Sequence, residues 1–139
     1  MNVKQLWLNL PVKDIERSKK FFTEIGFREN PIHKDSTNLA GFLIGNQDFV
    51  LMLFPENDFK TFTNHEVSDT KAGSEMLINI DAQSKKEVDE MEAMVRKAGG
   101  EVYQSASESQ SWLYGFGFKD LDGHRWAVLH MDMGKMPRG

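Results

Sequence analysis

A chain of 139 residues, 40% hydrophobic and 27% charged, carries enough apolar material for one compact domain with a buried core and lacks the composition of a disordered chain. Its net charge of −4, with both signs interspersed, offers no basic surface for phosphate backbones, so nucleic acid is not an expected partner. Zero cysteines exclude disulfides, thiolate catalysis and cysteine metal ligands, and no run approaches the roughly 18 apolar residues that span a bilayer.

Met1 to Gln5 lead into the first strand without the apolar stretch and small-residue cleavage site of a secretory signal, so a cytoplasmic protein is expected. Residues 6–12 read as an apolar strand. Asp14 is a good helix N-cap, Ile15, Ser18, Phe22 and Ile25 recur at helical spacing, and Gly26 stands where a helix should stop. Strand-like runs follow at 27–33, 39–44 and 49–54, the last two joined by the tight turn Gly45-Asn46-Gln47-Asp48. The segment 55–73 carries Phe59 and Phe62, which predict a short docked helix. The pattern then restarts, roughly 70 residues after its first appearance. Residues 75–80 form a strand, Ser84 and Glu87 a capping box, and Val88, Met91, Val95 and Ala98 one buried helix face that ends at Gly99-Gly100. Strands at 101–104, 112–118 and 125–131 complete the second half, with Asp120-Leu121-Asp122-Gly123-His124 as the turn before the last. The tail, 134–139, carries small, basic and proline residues and is expected to fray.

The order βαβββ therefore occurs twice. It predicts an α+β protein, a single domain over 1–139 whose modules, about 3–54 and 74–132, are joined by 55–73. Neither module can bury its own face alone, so the cleft between them is the place to seek function.

Leu10-Pro11-Val12-Lys13-Asp14 before a helix ending Gly26-Phe27, and Asp120-x-Asp122-Gly123-His124 before a final strand, resemble the vicinal oxygen chelate superfamily, the glyoxalase, bleomycin-resistance and extradiol-dioxygenase group. The resemblance covers residues 3–132. More narrowly, the Asn9-Leu10-Pro11-Val12 start and the 112–117 strand are similar to its glyoxalase-like branch. It implies two modules forming an open half-barrel cleft, often completed by a homodimer. A fold does not by itself assign a reaction.

Relatives in this superfamily generally hold a divalent cation through His, Gln or Glu side chains, leaving open positions where vicinal substrate oxygens chelate. Such a site needs imidazole or carboxylate donors about 2.0–2.2 Å from the ion and pointing into one cavity. Aligned with that pattern, the first ligand position holds Trp7, whose indole has no lone pair to offer. The final strand reads Asp122-Gly123-His124-Arg125-Trp126-Ala127 where the family pattern has Asp-Gly-His-x-Trp-Glu, so a methyl group replaces the ligand. Val50 takes the corresponding place in the first half. The fourth position falls on Glu75 or Leu77, and Glu75 is the one retained ligand type. No cofactor is therefore expected, a divalent metal being the alternative. His33, His65, His124 and His130 read as loop, turn or packing residues.

If Trp7 faces inward, so do Gln5 and Asn9, while Leu6, Leu8 and Leu10 face the helix. An aromatic plate with amides suits a small organic ligand. Trp112, Tyr114 and Phe116 alternate with Leu113, Gly115 and Gly117, leaving one side of that strand aromatic and the other nearly bare. Met52, on the face of Val50, and Met131, on the face of Ala127, are adaptable neighbours. The expected cleft lining is thus Trp7, Asn9, Val50, Met52, Glu75, Leu77, Trp112, Tyr114 and Ala127. The leading expectation is a metal-free, homodimeric protein that binds a small organic molecule. The alternatives are a divergent lyase or dioxygenase using Glu75 with recruited histidines, and a non-catalytic interaction module.

Overall fold

The computed structural model describes residues 1–137. The chain divides into two compact units, Met1–Asp69 and Thr70–Gly139, and each is built in the order βαβββ, as the repeated sequence pattern predicts. No helix among the described residues is long and apolar enough to cross a membrane.

In the first unit β1 (Trp7–Val12) runs into α1 (Ile15–Glu24). Asp14 caps that helix, its Oδ1 accepting from the Arg17 amide at 3.1 Å. Gly26 follows at φ +104°, a conformation that favours glycine and turns the chain. β2 (Arg28–Glu29), β3 (Ala40–Ile44) and β4 (Phe49–Pro55) complete the sheet, whose order is β1-β4-β3-β2 with β1 parallel to β4. The strand expected over 27–33 is reduced to β2, and Pro31–His33 forms a 3-10 turn instead. Pro31 has no amide hydrogen for a ladder, and Asn30 satisfies the Ile32 amide from its side chain at 3.1 Å. Leu10, Val12, Phe21, Phe22, Ile25, Phe42, Leu51 and Leu53 form the core. The segment after β4 supplies the docked helix, α2 (Glu56–Thr63), whose Phe62 meets Phe54 edge-on at 4.9 Å between centroids.

The second unit repeats the plan with β5 (Leu77–Asp81), α3 (Lys85–Ala98), β6 (Glu101–Ser109), β7 (Leu113–Lys119) and β8 (Arg125–Met131), in sheet order β5-β8-β7-β6. Ser84 caps α3 as expected, its Oγ accepting from the Glu87 amide at 3.1 Å, whereas the Glu87 carboxylate accepts from the Gln83 amide at 2.6 Å, one residue before the cap amide that a capping box uses. Val88 and Val95 are buried, with Met91 and Ala98 half-buried beside them. β6 is longer than the expected 101–104 and carries two register shifts against β7. It is an edge strand of mostly exposed residues, so it lacks the apolar alternation that marks an inner strand. Phe116, Phe118, Trp126 and Val128 are buried, with Phe118 and Trp126 stacked at 6.0 Å. In the tail, Asp132 organises a turn that accepts from the Gly134 and Lys135 amides. Of the tail expected to fray, Arg138 and Gly139 lie outside the described residues.

Candidate functional site

In the first unit α1 covers one face of the sheet, where Phe22 approaches Phe42 at 5.8 Å between centroids. Alternation puts the intervening residues on the opposite face. There Trp7 pairs with Val50, Asn9 with Met52, and Gly41 with Met52 from the other side. Trp7 is 55% exposed, Val50 and Asn9 are half-buried and Met52 is buried. The Oδ1 of Asn9 is shut off from solvent and has no hydrogen-bond partner among the described residues. Leaving such an acceptor unpaired costs about 1–3 kcal/mol. A Cβ at Gly41 would stand 3.0 Å from His33 Cδ2 and 3.1 Å from Met52 Sδ, so the imidazole and the thioether both close over this glycine. His33, expected as an exposed loop residue, is instead half-buried at the edge of this face, brought there by the 3-10 turn. The one signal for it in the sequence is a glycine inside a strand, a mark of close approach.

In the second unit α3 packs on the face that carries Phe116, Phe118, Trp126 and Val128. Tyr114 belongs to that side: its hydroxyl donates to Asp89 Oδ1 of α3 at 2.6 Å, which holds the phenol above its ordinary pKa. Lys85 lies 5.5 Å from the same ring. Trp112 precedes β7 in a turn, its indole N–H donating to Gln110 Oε1 at 2.8 Å. The opposite face carries Leu77, Asn79, Ala127, Gly115, Gly117 and Leu129. Tyr114 and Ala127 therefore project from opposite sides of one sheet, because Tyr114 pairs with His130 and Ala127 with Gly117. Glu75 is exposed on a bend before β5, where no ladder directs its side chain. The expected lining thus resolves into Trp7, Asn9, Val50 and Met52 on one face of the first sheet, and Leu77 and Ala127 on one face of the second.

The glycine side of β7, expected to be bare of its own side chains, is where neighbouring groups approach the backbone closely. A Cβ at Gly117 would stand 2.5 Å from Tyr103 Cζ, and one at Gly115 would stand 2.5 Å from Leu129 Cδ2. Above the Tyr103 ring lies Arg125, its Cζ 4.5 Å from the centroid. The neighbouring Lys119 holds Glu101 at 2.6 Å.

The Asp120–His124 turn is a structural device. Asp120 is 6% exposed; its Oδ1 accepts from the Asp122 and His124 amides at 3.0 Å each, and its Oδ2 from the Trp126 indole at 3.1 Å. Burial pushes its carboxyl pKa up from the ordinary value, opposed by His124, by the Trp126 indole and by the backbone amides. Gly123, at φ +88°, lies against Thr70, whose hydroxyl donates to the Asp122 carbonyl at 2.7 Å.

The donor set does not fit a metal. Indole, isopropyl and methyl groups at Trp7, Val50 and Ala127 offer no coordinating lone pair, and three protein ligands are the usual minimum for a catalytic ion. Among the described residues no three His, Asp or Glu side chains are grouped so as to hold one. His130 Nδ1 is 3.1 Å from the Ala82 carbonyl, and His65 is exposed after α2.

Residues 4–45 match a family model described as bleomycin resistance protein-like N-terminal. No curated protein matches the chain. Among solved structures, a hypothetical protein from S. aureus is 30% identical over 94% of this chain and 95% of that one, with a TM-score of 0.81. A glyoxalase-related enzyme from Fulvimarina pelagi is 18% identical over 92% and 88%, with a TM-score of 0.77. The fosfomycin resistance protein FosX from Listeria monocytogenes, solved with Mn(II) and sulfate, is 19% identical over 97% and 95%, with a TM-score of 0.69.

Proposed function

Because this chain belongs to the vicinal oxygen chelate superfamily, the glyoxalase, bleomycin-resistance and dioxygenase group, we propose that it binds a small organic molecule on the Trp7 face of its first unit, without a catalytic metal. The observation that carries this reading is the Asn9 amide oxygen, buried and unpaired beside Met52. A ligand that displaces what covers that oxygen and brings an N–H or O–H to it recovers the cost of its burial. Trp7 supplies an exposed aromatic surface for stacking, and Met52 a side chain that adapts to varied shapes. Glu75, a lone exposed carboxylate, gives a metal-dependent lyase or dioxygenase too few donors. A homodimer is part of the proposal: β1 is an edge strand with Leu6 and Trp7 exposed at its start. A cysteine-free chain suits the cytoplasm.

Phenol and anisole test it, since they share a ring and only phenol has a donor. In NMR titrations phenol should shift the Trp7 indole and Met52 methyl resonances saturably, with anisole weaker by about tenfold, the equivalent of one hydrogen bond. Asn9→Leu, which removes the unpaired acceptor, should remain folded and lose the preference for phenol. Absence of a saturable shift at Trp7 and Met52, or a preference that survives Asn9→Leu, sinks the reading.

A further inference from the structure

We propose that Arg125, stacked on Tyr103, is a binding site for the carboxylate of a small organic acid, on the face of the second sheet away from α3. The site is built from the backbone up. Gly117 has no side chain, so the tip of the Tyr103 ring lies directly on β7; a Cβ there would stand 2.5 Å from Cζ and 2.6 Å from the hydroxyl. That places the ring as a platform, and the guanidinium of Arg125 lies over it with Cζ 4.5 Å from the centroid. Stacking holds a guanidinium by its face and leaves the in-plane N–H donors pointing outward.

Those donors have nothing to serve within the unit. The Arg125 guanidinium makes no hydrogen bond or ion pair among the described residues, although it is half-buried. Glu101, two strands away in the same row, is held by Lys119 at 2.6 Å. Lys119 is also the strand neighbour of Arg125, so two cations stand side by side, and among the described residues Lys119 alone of the two has a counter-ion. A positioned, partly desolvated and unpaired arginine fork is matched by a carboxylate, which accepts two parallel N–H bonds.

The surroundings specify the rest of the ligand. Leu77 pairs with Arg125 across β5 and is 52% exposed, and the next row along the sheet holds Asn79 and Ala127. An apolar body extending from the carboxylate would cover Leu77 and Ala127, with the Asn79 amide at its edge. The net charge of −4 disfavours a multiply charged anion and favours a singly charged acid. This inference stands apart from the Trp7 face, since it rests on different residues and a different ligand chemistry.

Benzoate is the probe, titrated into the full-length chain and followed at the Arg125 Nε–H resonance and the Leu77 and Ala127 amides. Benzamide supplies the same ring without charge, and acetate and sulfate supply charge without the ring. Benzoate should shift these resonances saturably, benzamide should not, and acetate and sulfate should bind more weakly than benzoate. Arg125→Gln should weaken benzoate about tenfold or more at the two amides. Arg125→Lys, which keeps the charge and loses the fork, should weaken it severalfold, as should Tyr103→Leu, which removes the platform. Benzoate binding that is unchanged in Arg125→Gln or equal in Arg125→Lys overturns the proposal, as does sulfate matching benzoate. The readout lies on Arg125 and its neighbours, so a silent phenol titration at Trp7 leaves this test intact.

Discussion

Asp120 shows how a motif residue of an enzyme-rich family can serve the fold. One carboxylate gathers three donors and closes the turn into β8. Burial makes its neutral form easier to hold in the native state than in the unfolded chain, so between its ordinary pKa, about 3.9, and its raised native value the native state binds more protons. Stability from this group therefore grows as pH falls from 7 towards 4. Asp120→Asn lacks that proton and sets an amide N–H against the Trp126 indole N–H. The urea-unfolding free energy of the native chain minus that of Asp120→Asn should accordingly increase as pH falls through that window; a difference that shrinks would contradict the assignment. Residue identity at Trp7, Val50 and Ala127 was legible from the chain alone: an indole, an isopropyl and a methyl group, none of which carries a lone pair for a metal. His33 over Gly41 and Arg125 over Tyr103 were not, because each contact joins residues whose proximity comes from strand pairing and side-chain reach.

At the level of elements, local chemistry accounts for most boundaries. Asp14, Ser84, Gly26 and Gly99 start and stop helices by satisfying or turning the terminal backbone groups. Ser84→Ala removes the oxygen that accepts the Glu87 amide, and should cost about 1 kcal/mol in urea unfolding monitored by circular dichroism. A cost near zero would mean that the Glu87 bond to Gln83 suffices as a cap. The two departures share a cause. Residues 31–33 and 105–109 carry no apolar period of either kind, so their state depends on what the neighbouring strand offers. Pro31 declines the ladder, whereas 105–109 join β7 as an exposed edge. The face assignment along β7 was also only half legible: alternation separates Tyr114 from Gly115, but the side that α3 covers emerges only when Tyr114 is seen bonded to Asp89.

Across the whole molecule the same βαβββ order appears in both units, each with its own aromatic core. The absence of ligand chemistry at Trp7, Val50 and Ala127 leads to a prediction for the intact chain. A native-state ion at 100 times its Kd would add about 2.7 kcal/mol of stability, worth several degrees in Tm. Treatment with EDTA should therefore leave Tm unchanged within about 2 °C on that scale, and elemental analysis after chelator-free purification should find no stoichiometric divalent metal. A drop of several degrees, or one ion per chain, would reinstate a metal centre. What the sequence by itself determined was the repeated module, its helix ends and the residue types at Trp7, Val50 and Ala127, since these follow from short-range periodicity, capping and residue identity. What only the tertiary structure decided was which side chains share a face and which polar groups are left without partners. Those depend on strand register and on close approach over glycine, and neither is encoded within any one local window of the chain.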